Sequence, residues 1–167
     1  MPDPYDTLSI FAQVALALAG FSGIVVALGH RSVGELTPLE ARRLVNLFTF
    51  SGLVFILTLL GISLLHIEHV DTSFLWRNGS AVLVLTGIPW MILDWHKIHR
   101  LSPEERSKIR GIIIYPSTVI AIFALLLQLV NIFILGVAWP FFVALVAQLA
   151  FTFQQFILLV WSGLRDH

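Results

Sequence analysis

Chemistry in this chain has to come from a small set of polar side chains set in apolar sequence. Ser117, Gln128 and Asn131 share one apolar run and, with Ala121 and Ala124, follow the spacing i, i+4, i+7, i+11, i+14. Gln148, Thr152 and Gln155 occupy the next run at i, i+4, i+7, with Ala144 above them. Each set falls on one face of a helix. In hydrocarbon such groups do one of two things. They hydrogen-bond across a helix interface, at about 0.6–2 kcal/mol each, or they line a water-filled path, where neutral amides and hydroxyls hydrate an ion without holding it tightly.

Histidine offers a second chemistry. His66/His69 and His96/His99 are pairs at a spacing of three, which places each pair on one helix face, and imidazole is a common metal ligand. Glu68 and Asp71 stand near the first pair. The two pairs fall on opposite sides of the membrane, since each ends its own span and the two spans run in opposite directions, whereas a haem needs facing ligands at one depth. No His-Glu-x-x-His or Glu-x-x-His pattern is present. Gly20-Phe21-Ser22-Gly23 fails the spacing of a serine nucleophile elbow. With no cysteine, disulfides and thiolate sites are excluded. The sequence therefore implies no catalytic residue, no bound metal and no cofactor, and the expectation is a protein that is not an enzyme.

The elements that must position these residues follow from composition. The 167 residues are 57% hydrophobic and 12% charged, where soluble domains carry roughly 25% charge. So little polar surface suits a chain whose solvent is lipid. Formal net charge is zero, so nothing points to nucleic acid. Five runs reach the roughly 20 apolar residues of a spanning helix: 8–29, 45–67, 75–98, 112–135 and 139–161. The third is the weakest, with Arg77, Asn78 and Gly79 near one end and Asp94 near the other, yet Ser80–Leu93 carries no charge. The acidic start, Met1 to Asp6, followed by a run of spanning length does not fit a cleavable signal peptide. The expected fold is an all-α polytopic bundle of about five spans in a single transmembrane domain.

Charge placement orients that bundle. Arg31, Arg42 and Arg43 flank the first loop, Lys97, Arg100, Arg106, Lys108 and Arg110 lie between spans three and four, and Arg165 follows span five. Placing these segments in the cytoplasm leaves Arg77 alone outside, with the N-terminus outside and the C-terminus inside. Trp76 and Trp139 are expected at the outer interface, and Trp90, Trp95 and Trp161 towards the inner one. Mid-span charge of the kind coupled carriers keep is missing. Thr37-Pro38-x-Glu40 and Ser102-Pro103-x-Glu105 each read as a capping box with proline at the first helical position, which pairs spans one and two with spans three and four as similar hairpins. Pro116 and Pro89 interrupt spans four and three, with Thr86 placed to bond backbone freed by Pro89. Ala15, Ala19, Gly23 and Ala27 form a small-residue ridge that predicts a tight helix seam, either inside the subunit or between subunits.

The segment Ala17 to Gly29, followed by a short basic loop and a helix start at Thr37-Pro38, resembles small uncharacterised bacterial inner-membrane proteins over the first third of the chain. The resemblance implies a bacterial inner membrane and brings no activity with it. The expected function is an integral membrane protein forming a homo-oligomeric channel or passive pore. The alternative is a non-catalytic anchoring or sensing subunit of a larger complex, whose basic cytoplasmic residues suit anionic lipid headgroups or an acidic protein partner.

Overall fold

The computed structural model describes residues 3–28, 37–67, 71–100 and 111–165. Arg31, Glu68, His69, the second capping box and the basic residues Arg106, Lys108 and Arg110 lie outside the described residues, as do the side chains of Ala27 and Arg165. The described chain is all-helical, without a strand. Helices α1 (Pro4–Leu28), α2 (Pro38–Leu65), α3 (Thr72–His99), α4 (Gly111–Val130) and α5 (Ala138–Arg165) follow in order, and a π-helical turn, Asn131–Leu135, ends α4. All five are long and apolar enough to cross a membrane. They carry bulky apolar side chains on their exposed faces, including Leu85, Phe123, Phe133 and Ile134, as a helix does when its surroundings are hydrocarbon. These are the helices of a multi-pass integral membrane protein.

Local chemistry sets the helix ends. Thr37 and Glu40 form the capping box: the Thr37 amide donates to Glu40 Oε2 at 3.0 Å, and the Glu40 amide donates to Thr37 Oγ1 at 3.3 Å. Pro38 stands first in α2, where its missing N–H needs no partner. Asp71 caps α3 by accepting from the Ser73 amide at 2.9 Å and the Ser73 hydroxyl at 2.8 Å. These two hydrogen bonds hold its carboxyl below the usual carboxylate range. At the other end of α3, Lys97 stands in the last turn with His96 and His99, and its positive charge suits the exposed carbonyls there. Thr86 donates to Val82 O at 2.7 Å. Its hydroxyl thus back-bonds within its own turn and does not take Leu85 O, the carbonyl that Pro89 leaves without an N–H partner.

The chain forms two compact units. The first contains α1, nearly all of α2 and α5 from Gln148 onward. Its α1 face is Leu8, Ala12, Ala15 and Ser22, all buried, at spacings of four, three and seven that keep to one stripe. Leu8 packs so closely on α2 that a Cβ at Gly61 would stand 3.0 Å from Leu8 Cδ1. Phe50 meets Phe151 edge-on at 5.2 Å, and Arg43 Nη1 donates to Leu158 O at 3.1 Å, tying α2 to α5. Buried Ser51 and Thr58 satisfy their hydroxyls on Leu47 O and Val54 O of α2 itself.

The second unit contains α3, α4, the π-turn and the first ten residues of α5, down to Ala147. Trp76, Ser80, Leu83 and Val84 are the buried face of α3. Trp76 packs against Phe141 and Phe142 with ring centroids 5.9 and 5.5 Å apart. It is 5% exposed, so it serves the core and is not the interfacial anchor its position in the sequence suggests. Close approach recurs along this seam. A Cβ at Gly79 would come within 2.8 Å of Phe141 Cε2, and one at Gly87 within 3.1 Å of Leu125 Cδ2.

Candidate functional site: a buried polar node

The polar groups of the second unit converge where α4 turns into α5. Asn131 is fully buried and opens the π-turn. Its backbone carbonyl accepts from the Gly136 amide at 2.9 Å, an i to i+5 bond that closes the wide turn. Its side-chain Oδ1 accepts from the Val137 amide at 3.0 Å, so one residue satisfies two backbone donors of the turn. Gly136 makes the reversal possible with φ 62°, a left-handed conformation that costs about 1–2 kcal/mol with a Cβ.

Gln128 lies one turn earlier and is 1% exposed. Its Nε2 donates across the hairpin to Pro140 O at 2.8 Å, and also reaches Ala124 O at 3.4 Å. Ser80 of α3 joins the two amides. Asn131 Nδ2 donates to Ser80 Oγ at 2.8 Å, and Ser80 Oγ donates to Gln128 Oε1 at 2.8 Å. The hydroxyl is acceptor and donor at once, so α3, α4 and the start of α5 are linked by a chain of hydrogen bonds with no charged member. Such a node has little capacity for acid–base or nucleophilic chemistry. It holds three helices in one register.

The remaining polar residues of the two stripes do not join it. Ser117 is half-buried. Thr152 is fully buried and donates to Gln148 O of its own helix at 2.8 Å, and Gln155 is 7% exposed. Gln148 is half-buried, with its Oε1 enclosed and without a hydrogen-bond donor. The small-residue ridge also divides. Ala15 is buried and Ala19 half-buried, whereas Gly23 is exposed, with no atom within 4 Å of a Cβ placed there, and the same space is open at Gly20. Steps of four overshoot a 3.6-residue turn by about 40° each, so a strict ladder of fours winds away from a seam that alternates threes and fours.

Among the described residues no group of three His, Cys, Asp or Glu stands close enough to hold a metal. His66, His96 and His99 are exposed, and the His99 ring meets Trp95 edge-on at 5.0 Å. Lys97 Nζ sits 5.5 Å from the centre of the Trp90 ring, a cation–π contact worth about 0.5–1 kcal/mol when exposed.

Sequence reasoning singles out Gln128 and Asn131 but passes over Ser80 and Gly136. Ser80 is one of two hydroxyls in the weakest span, the other being Thr86 six residues on and on another face, so no same-face partner draws attention to it. Its role depends on which helix lies opposite. Gly136 carries a readable signal, since glycine directly after the last apolar residue of a helix marks a left-handed cap.

Arg77 completes the surroundings of the turn. Its guanidinium lies on Gly136, where an added Cβ would stand 2.6 Å from Nε. That Nε is enclosed and has no acceptor. A buried donor left unpaired costs about 1–3 kcal/mol.

Comparison with protein-family models, curated proteins and solved structures gave no match.

Proposed function

We propose that this multi-pass membrane protein acts as a non-catalytic anchoring or sensing subunit, in a bacterial inner membrane with its N-terminus outside. One observation carries the proposal: the two most fully buried amides among the described residues, Gln128 and Asn131, are bound to Ser80 and to the α4–α5 turn. An amide that hydrates a passing ion has to face water, and these two face each other's partners. What remains outward on α3 and α4 is largely apolar, as a surface for lipid or for other spans requires. The charge bias supports the orientation. The basic segment around Arg106, Lys108 and Arg110 suits an acidic partner or anionic headgroups on the cytoplasmic side. Self-association belongs to the same proposal, because the open backbone at Gly20 and Gly23 lets a second helix come close.

A second reading, a passive pore in a homo-oligomer, rests on Gln148, which is half-buried, lies on the polar stripe of α5 and is outside the node. Sealed liposomes separate the two. Under the anchoring proposal, reconstituted protein leaks small ions no faster than empty vesicles, and Gln148→Leu changes nothing. Flux above background that falls in Gln148→Leu, with the number of subunits in native mass spectra unchanged, would replace anchoring with the pore.

A further inference from the structure

We propose that Arg77, seated on the Gly136 turn, is a binding site for a phosphate group, supplied by a phospholipid headgroup or by free phosphate in the aqueous phase. The inference goes beyond the anchoring proposal and holds equally for a pore, since it needs only a membrane.

Depth comes first. Gly136 and Val137 connect two helices long enough to span a bilayer, so the turn they make marks the end of the hydrocarbon. Arg77 lies directly against that turn, in the second turn of α3. Trp139, in the first turn of α5, is 54% exposed, and exposed tryptophan favours the headgroup layer. The guanidinium is therefore at the level where lipid phosphates lie.

Its chemistry comes second. A guanidinium has five donors in a planar fork and stays charged at any physiological pH. Here Nε is enclosed without an acceptor, and no described residue forms an ion pair with the side chain. Asp71 is the acid whose charge Arg77 influences, and its hydrogen bonds are with Ser73, not with Arg77. Asn78, the adjacent amide, turns its Nδ2 back to Phe74 O at 2.7 Å. Trp76, on the other side, faces Phe141 and Phe142. Arg77 is half-buried, and its guanidinium rests on a glycine floor. A phosphate at the Nη atoms, which unlike Nε are not enclosed, brings a counter-charge and acceptors there, and Arg–phosphate pairing is commonly bidentate. The glycine matters because a side chain at 136 would occupy the space of Nε.

Native mass spectrometry of the full chain released from detergent tests the site. The probes are phosphatidylglycerol, diacylglycerol with the same acyl chains, and inorganic phosphate as competitor. The wild type is expected to retain one phosphatidylglycerol and no diacylglycerol. In Arg77→Met occupancy should fall about tenfold, the loss of a single charge-assisted pairing. Arg100→Met, altered at the opposite end of α3, should bind as the wild type. Arg77→Lys keeps the charge and loses the fork, so it should bind severalfold more weakly, and it decides the matter if Arg77→Met does not fold. Displacement of the lipid by millimolar inorganic phosphate assigns the site to soluble phosphate, and lipid that withstands it assigns the site to the headgroup. Equal phosphatidylglycerol retention by wild type, Arg77→Met and Arg77→Lys, or retention of diacylglycerol at the same level, would overturn the proposal.

Discussion

Replacing Ser80 by alanine removes one oxygen atom and leaves one buried amide donor and one buried amide acceptor unpaired. Asn131 Nδ2 loses its acceptor and Gln128 Oε1 loses its donor, both at bonds of 2.8 Å. No water or neighbouring backbone group compensates easily, because Ser80, Gln128 and Asn131 are each 1% exposed or less. Interhelical hydrogen bonds in membrane proteins average about 0.6 kcal/mol and reach about 1.7. Two such bonds put the destabilisation of Ser80→Ala at about 1–3 kcal/mol, the upper end applying if neither amide finds a new partner. The measurement is unfolding in bicelles, with Thr86→Ala as the comparison. Thr86 is an exposed hydroxyl bonded only to its own helix, so its removal should stay within about 0.5 kcal/mol. A double-mutant cycle of Ser80→Ala with Asn131→Leu isolates the link, and coupling of at least about 0.5 kcal/mol is expected for groups in one network. If Ser80→Ala is no worse than Thr86→Ala and the cycle closes at zero, the node does not hold the helices together, and the argument from burial fails.

Two other perturbations probe the ends of the same helices. Gly136→Ala should destabilise by at least about 1–2 kcal/mol, from the left-handed backbone alone, with an added clash against Arg77 Nε. The clash term should disappear in an Arg77→Ala background, so equal effects of Gly136→Ala in both backgrounds would refute the close contact. For Asp71 the folded-state pKa is depressed by its hydrogen bonds to Ser73. Its contribution to stability is therefore complete above the unfolded-state value of about 3.9 and is lost as pH falls through the lower folded value. Asp71→Asn keeps an N-cap acceptor but no longer titrates, so the acid limb of an unfolding curve measured from pH 5 downward should flatten. A limb identical to wild type would remove Asp71 from it.

How much of this was legible in the sequence depends on the range of the interaction. The spans come from runs of apolar residues, and the helix starts from local caps, so 45–67 became Pro38–Leu65, starting earlier and ending two residues sooner, and 75–98 widened to Thr72–His99, with the caps placing the first residues. Gln128 and Asn131 could be picked out because amides are rare in hydrocarbon, and their spacing gave a common face. Which helix would meet that face was not local information. Trp76 illustrates the limit: a tryptophan near the end of a span suits an interfacial anchor, until Phe141 and Phe142 arrive from a helix 65 residues further on and cover it. The small-residue ridge divides for a geometric reason: the drift of a strict four-residue step turns Gly23 away from the face on which Ala15 is buried.

The node also accounts for the chemical type of residue 80. Gln128 directs its amide nitrogen at Pro140 O, and Asn131 directs its carbonyl at the Val137 amide. Those two bonds close the α4–α5 hairpin and fix both amide orientations, leaving one acceptor and one donor facing α3. A single group must then receive a hydrogen from Asn131 and give one to Gln128, which a hydroxyl does and an amide nitrogen or a carboxylate does not. The side chain must also be short, because Gly79 beside it already stands against Phe141. Serine meets both conditions. Threonine meets the first but adds a methyl group to a fully enclosed position, and overpacking of that kind costs about 1–3 kcal/mol. The hairpin thus dictates what α3 must offer. That is a reason for the least apolar of the five helices to carry its one buried hydroxyl where it does.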